Sequence, residues 1–248
     1  MKKVVTLVTG LVLFVGLYAQ RDTTQPVSRT KRDWSKVNVA NRPKDHFLLQ
    51  LGYNSWTKAP DSLQFSGIPL SYNFYFLMDF PFKTNPRYSV AIGAGIATDN
   101  MTFENTSIDI TGSRADRLSF TDVGDTNHFK KYKLINTYLE APVELRFSSD
   151  PEQNMKSWKG AIGVKVGTMI GAGTRGKSLV NSAGNSVNNY VLKERAKRYF
   201  NSTRLSVMGR FGYGIFSIYA SYQINAFIKE GAGPDVRPLQ VGLTISGL

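Results

Sequence analysis

Apolar and polar residues alternate with period two along eight stretches of this chain, and aromatics or large aliphatics hold one parity in each. The clearest runs from Leu70 to Phe80. Leu70, Tyr72, Phe74, Phe76, Met78 and Phe80 share one parity, while Ser71, Asn73, Tyr75 and Asp79 share the other. An extended strand sends alternate side chains to opposite faces. No stretch beyond the first residues is long enough for a membrane helix, which needs about 20 apolar residues. An oily face and a polar face, repeated an even number of times, predict an all-β, eight-stranded antiparallel up-and-down transmembrane β-barrel with its polar face inside.

The other seven stretches follow the same rule. Phe47, Leu49, Leu51 and Tyr53 oppose Gln50, Gly52 and Asn54; Tyr88, Val90, Ile92, Ala94 and Ile96 oppose Ser89, Ala91, Gly93, Gly95 and Ala97. Leu139, Ala141, Val143, Leu145 and Phe147 oppose Tyr138, Glu140, Glu144 and Arg146. Trp158, Ile162, Val164, Val166 and Ile170 oppose Lys159, Gly163, Lys165, Gly167 and Gly171. Leu205, Val207, Phe211 and Tyr213 oppose Arg204, Ser206, Met208 and Arg210. Phe216, Ile218, Ala220, Tyr222 and Ile224 oppose Ser217, Tyr219, Ser221, Gln223 and Asn225. Leu239, Val241, Leu243 and Ile245 oppose Gln240, Gly242, Thr244 and Ser246. Slipping a strand by one residue would turn Lys165 or Arg204 into hydrocarbon, at about 2–4 kcal/mol near the midplane.

Loop lengths agree with this count. Long connections are expected at Thr57–Pro69, Asn100–Lys131, Gly176–Lys197 and Lys229–Val236, and short ones at Lys83–Arg87, Ser148–Ser157 and Gly214. Outer-membrane barrels place long loops outside and short turns in the periplasm. That orientation gathers Phe47, Phe80, Phe82, Tyr88, Phe147, Trp158, Tyr213 and Phe216 into a girdle at the periplasmic rim.

Before the barrel, Lys2 and Lys3 precede an apolar run from Val4 to Leu17, and Leu17-Tyr18-Ala19 offers a cleavage site. Residues 1–19 therefore read as a signal peptide, with an uncleaved membrane anchor as the alternative. Residues 20–45 read as a basic periplasmic segment and 46–248 as the barrel. The chain has no cysteine, so it forms no disulfide and carries no lipoprotein signal. The 31 basic residues lose Lys2 and Lys3 with the leader, leaving 29 against 18 acidic ones, a net +11. In an exported chain that excess points away from nucleic acid and towards anionic lipid, lipopolysaccharide phosphates or an acidic protein, with a uniformly basic charge that only aids solubility as the alternative.

The inward charges are the main candidate site. Glu140, Glu144, Arg146, Lys165, Arg204 and Arg210 all face the lumen on this parity, and Gly163, Gly167 and Gly171 leave room between them. An eight-stranded barrel has just enough interior for side chains to fill, and an unpaired buried charge is costly. A paired polar plug is expected, with a proton or small-solute path as the alternative. Pro142 lacks a ladder donor, so a bulge is expected there. Lys193, Arg195, Lys197 and Arg198 form a second candidate, a contact for lipopolysaccharide phosphates, with a solvated basic loop as the alternative.

Other motifs carry less. Gly171-Ala172-Gly173-Thr174-Arg175-Gly176-Lys177-Ser178 matches the P-loop pattern, but a P-loop must lead into a helix. Here the turn-rich Leu179-Val180-Asn181-Ser182-Ala183-Gly184 follows. His128 could activate Ser119 or pair with Asp125, as in an outer-leaflet lipid-modifying enzyme. Asp109, Asp116, Asp122 and Asp125 lack the ligand rhythm of a calcium loop. The expectation is no enzyme activity, no cofactor and no metal.

Tyr132-Lys133-Leu134-Ile135-Asn136-Thr137-Tyr138-Leu139-Glu140-Ala141-Pro142-Val143-Glu144-Leu145 resembles the Tyr-Leu-Glu-x-Pro strand of the PorT-like outer-membrane β-barrel proteins of Bacteroidetes. The resemblance implies an eight-stranded barrel of the bacterial outer membrane. Some members of that family serve type IX secretion. It carries over no catalytic residue, and Tyr138, Leu139, Glu140 and Pro142 take structural roles. The resulting expectation is a monomeric, plugged barrel with an accessory or interaction role in secretion or envelope assembly. A lipid-modifying enzyme, a narrow solute channel and a soluble lipocalin-like barrel are the alternatives.

Overall fold

A computed structural model describes residues 46–60, 63–112 and 116–247. The expected signal peptide and basic segment lie outside the described residues. Eight strands close a ring: β1 (Phe47–Thr57), β2 (Leu70–Pro81), β3 (Tyr88–Phe103), β6 (His128–Ser148), β7 (Trp158–Val180), β9 (Thr203–Tyr213), β10 (Phe216–Gln223) and β11 (Arg237–Ser246). Each pairs antiparallel with the next, and β11 returns to β1 from Leu48↔Ser246 to Thr57↔Arg237. Closure leaves the ring no edge, so its backbone donors and acceptors are satisfied within hydrocarbon. The eight strands are those the alternation predicts.

The facing agrees as well. Phe74, Val164 and Leu205 are exposed at 49, 44 and 38%, whereas Gln50, Asn73, Glu140, Lys165 and Arg204 are buried. A soluble lipocalin-like barrel would show the reverse. Rings meet across strands at the short-turn rim: Tyr88 and Phe147 lie 5.3 Å apart, and Trp158 contacts both Phe211 and Tyr213 at 5.4 Å. Phe47 departs from the expected girdle. It lies opposite Phe76 and packs on Phe74 and Phe76, because β1 begins partway along β2.

The strands differ in height. About 9–11 residues suffice to cross the bilayer, and β1, β9, β10 and β11 have 8 to 11. β3, β6 and β7 have 16, 21 and 23. Along these tall strands the amphipathic sense reverses. On β3 the inward set passes from Ser89, Ala91 and Asp99 to Met101 and Phe103, while the outward set passes from Ile92 and Ile96 to Thr98 and Asn100. On β6 the inward set passes from Glu144 and Glu140 to Leu134 and Tyr132, and the outward set from Leu139 to Lys133 and Lys131. Lipid selects oil outside; above it water selects oil inside.

Three short or outlying strands belong to this upper part. β4 (Thr106–Asp109) and β5 (Ser119–Asp122) form a hairpin inside the second long connection. β8 (Ser186–Arg195) pairs with the top of β7, from Gly173↔Arg195 to Val180↔Ser186. The third long connection is thus a β-hairpin rather than an open loop. β7 forks: its lower part pairs with β9 up to Thr168↔Thr203, and its upper part pairs with β8.

Two expectations are corrected here. Pro142 stays in register opposite Lys165, and the register shift falls between Thr137 and Tyr138. Thr137 lies opposite Gly171 but Tyr138 lies opposite Met169, so Ile170 is the extra residue. A bulge swaps the parity of its strand beyond that point. Gly171 therefore faces outward with Ile170, instead of into the lumen, while Ala172 and Thr174 turn in. The swap also sends Arg175 and Lys177 out to water; unshifted, they would enter the core beside buried Tyr132 and Leu134. At Pro142 the cost of the missing donor is absorbed without an inserted residue, since Ile92↔Val143 and Gly95↔Glu140 keep one register on either side of it.

Deleting Gly171 should remove the bulge by joining outward Ile170 to inward Ala172, so that Lys165 stays in the lumen and Arg175 and Lys177 stay in water. Heat-modifiable gel migration and a urea midpoint within about 1 kcal/mol of wild type are expected. A loss of about 3 kcal/mol or more, as for the burial of an unpaired charge, would contradict this account of the bulge.

Candidate functional site

The lumen is filled by a charge network built from facing strands. Arg204, on β9, reaches across the barrel to two carboxylates: its Nη2 donates to Asp99 Oδ2 of β3, and its Nη1 donates to Glu140 Oε1 of β6 at 3.0 Å. Its Nε donates to Gln223 Oε1 at 3.0 Å, and its guanidinium lies 4.2 Å from the centroid of the Tyr138 ring. The other oxygen of Glu140 accepts from Tyr75 OH at 2.6 Å and faces Lys165 Nζ at 3.6 Å. The second oxygen of Asp99 accepts from Gln240 Nε2 at 2.6 Å. From Gln240 a polar chain continues through Asn73, at 3.2 Å, to Gln50 at 3.3 Å and on to Thr244 at 3.2 Å. Planar guanidinium groups suit this shared recognition of two carboxylates.

A second cluster lies nearer the short turns. Glu144 Oε2 accepts from Arg146 Nε at 2.8 Å and from Arg210 Nη2 at 3.1 Å. Arg146 also faces Asp79 at 3.6 Å, and Asp79 accepts from Ser89 Oγ at 2.7 Å. Glycines make the space. A Cβ on Gly167 would lie 2.7 Å from Glu140 Cγ, and one on Gly52 would lie 2.2 Å from Tyr219 OH. All six expected lumen residues are thus inside, in two clusters: Glu140, Lys165 and Arg204 in one, Glu144, Arg146 and Arg210 in the other. Asp99, Asp79, Tyr75 and Gln240 complete the network and were not among them. Asp99 lies just past Ala97, where the apolar alternation of the third stretch ends.

Above the network the long connections form an apolar cap. Trp56 packs against Phe65, Phe103 and Phe227 at 5.4–5.9 Å between centroids, and Phe200 meets Phe227 at 4.9 Å. Met101, Ile108, Ile110, Leu134, Tyr199 and Ile228 are buried in the same cluster. Backbone bonds tie the connections together: Leu118 N donates to Ala232 O at 2.7 Å, and Asn201 N to Phe227 O at 2.9 Å. At the rim, Asp235 accepts from Arg237 and lies 3.6 Å from Lys58. Those partners, Arg237 first, hold its carboxyl below the usual range.

The expected lipid-contact residues separate. Lys193 and Arg195 on β8, together with Lys197, line an open groove of about 530 Å³ whose floor is Ile170 to Gly173. Arg175 joins them there. Arg198 does not: it lies against the Tyr199 ring at 5.4 Å and pairs with Asp116 at 3.6 Å.

The P-loop-like segment Gly171–Ser178 is strand throughout, inside β7. His128 Nδ1 lies 2.9 Å from Thr126 O, and Ser119 Oγ lies 3.2 Å from Thr121 Oγ1. Asp109 accepts from the Thr111 and Gly112 amides, and Asp122 from the Gly124 amide. Among the described residues no group of three or more His, Asp or Glu side chains could hold a metal ion.

Replacing Arg204 with Met should leave Asp99 and Glu140 buried without their shared cation. A loss of about 3–5 kcal/mol is expected for breaking such a pair from one side, read from urea unfolding in detergent. Adding Asp99→Asn and Glu140→Gln should recover part of that loss. No recovery in the triple variant would show that Arg204 acts by packing.

No curated protein matches the chain. A family model described as "Outer membrane protein beta-barrel domain" matches residues 46–246, the whole of the ring. The chain therefore belongs to the outer-membrane β-barrel domain family and is a protein of the outer membrane.

Proposed function

We propose that this protein is a closed, non-conducting barrel that acts through its long-loop face, as a non-enzymatic accessory or interaction protein of the bacterial outer membrane. The observation that carries the proposal is occlusion at two levels. Arg204, Asp99 and Glu140 cross the lumen in mutual contact, and the Trp56–Phe103–Phe227 cluster is packed above them. A solute path would have to break buried ion pairs and then part an apolar core. The ring closes within one chain through β1 and β11, which favours a monomeric barrel.

The finer assignment, to the PorT-like group with a role in type IX secretion or envelope assembly, is supported by the likeness at Tyr138-Leu139-Glu140-Ala141-Pro142. A cleaved leader ending at Ala19 and a basic periplasmic segment to residue 45 suit the same reading. Crosslinking in native membranes should recover envelope proteins of a secretion or assembly machine. Recovery of none would remove this part of the proposal.

Reconstituted in planar bilayers, the purified chain should give no discrete conductance steps. Steady single-channel openings by the wild-type protein would overturn the closed reading and favour the narrow solute channel.

A further inference from the structure

The outward face of β6, β7 and β8 carries cations placed directly opposite one another. Lys133 lies across from Arg175, and Arg175 lies across from Lys193. Residues directly opposite in an antiparallel pair have Cβ atoms about 5 Å apart, and like charges there are destabilising. The register that the Ile170 bulge creates enforces this arrangement. Arg195 and Lys197 continue the row along the groove wall. Glu194 also lines the groove, but its Oε2 accepts from Thr174 Oγ1 at 3.2 Å on the inward side of the sheet.

The floor is of a different character. Ile170 is half exposed and continues the lipid-facing belt of Val164 and Val166, while Gly171 and Gly173 present no side chain. A concave site of about 530 Å³ thus opens where hydrocarbon ends and cations begin. Ligand clefts commonly hold about 300–1,000 Å³.

We infer that this groove binds a phosphorylated glycolipid of the outer leaflet, with phosphate on Arg175, Lys193, Arg195 and Lys197 and an acyl chain along Ile170. Phosphate would offset the repulsion within the row, and the acyl chain would cover the apolar floor. The inference rests on the reading that the long connections face outward, and it names the partner of that face.

The test uses the full chain, purified in an uncharged detergent, with retained lipid counted by native mass spectrometry and affinity titrated. The probes are diphosphorylated lipid A, its dephosphorylated form, phosphatidylglycerol and inorganic pyrophosphate. Diphosphorylated lipid A should bind, and each of the other three should bind more weakly by about tenfold or more. The variant carrying Arg175→Gln, Lys193→Gln, Arg195→Gln and Lys197→Gln should lose about tenfold or more in lipid A affinity. A control with Lys58→Gln and Lys229→Gln should keep it. Ile170→Ser should weaken lipid A but leave pyrophosphate unchanged. Equal affinity of the quadruple variant overturns the inference. So does pyrophosphate or phosphatidylglycerol binding as tightly as lipid A, which would indicate a plain anion site or an unselective anionic surface. Heat-modifiable migration reports the barrel separately: absent lipid binding by a folded barrel removes the groove assignment alone, whereas loss of surface labelling at Lys193 in intact cells would remove the outward orientation.

Discussion

One cation organises the interior. Arg204 on β9 binds Asp99 on β3 and Glu140 on β6, residues 105 and 64 positions away in sequence. A barrel bathed in lipid cannot turn its polar side chains outward, so they must neutralise one another inside. Once the guanidinium is buried it needs more than one acceptor, and carboxylates from two other strands supply them. Gln223 then takes the Nε donor, and Tyr75, Lys165 and Gln240 engage the second oxygen of each carboxylate. The network fixes which strands can be neighbours across the lumen, because a strand slipped by one residue would present apolar side chains to these charges.

The second constraint is the change of solvent along a single strand. β3, β6 and β7 each span from hydrocarbon to water, β6 running the opposite way to the other two, and their inward and outward sets exchange character at Asp99, Tyr138 and Ile170. On β3 and β6 the sequence alone makes the exchange. On β7 an inserted residue makes it, since Gly171, Gly173, Arg175 and Lys177 would otherwise keep the inward parity of Lys165. The bulge is thus what allows a cationic outer face and an apolar inner face on the same strand.

Much of the ring was legible because lipid imposes one pattern on every strand. Phe74 outward and Lys165 inward follow from parity alone, and six lumen charges were found that way. Other features left weaker marks. β8, with Ser186-Val187-Asn188-Asn189-Tyr190-Val191, is exposed on both faces and carries no period-two signal. The bulge has no proline to announce it, and the glycines around residue 171 blur the alternation, so Pro142 drew the expectation instead. The cap residues Trp56, Phe103, Phe200 and Phe227 are scattered over connections. Only their meeting in space makes them a core. Arg198 looked like a member of the lipid-facing set by adjacency, but the chain leaves β8 at Arg195 and turns it towards Asp116.

The cap draws on both extremes of the ring. Trp56 leaves the top of β1, Phe227 and Val236 precede β11, and Trp56 packs against Phe227. The Trp56–Phe227 contact spans the closing seam, just above the point where Thr57 of β1 lies opposite Arg237 of β11. The stopper at the mouth is therefore also a clasp on the seam: loosening one loosens the other.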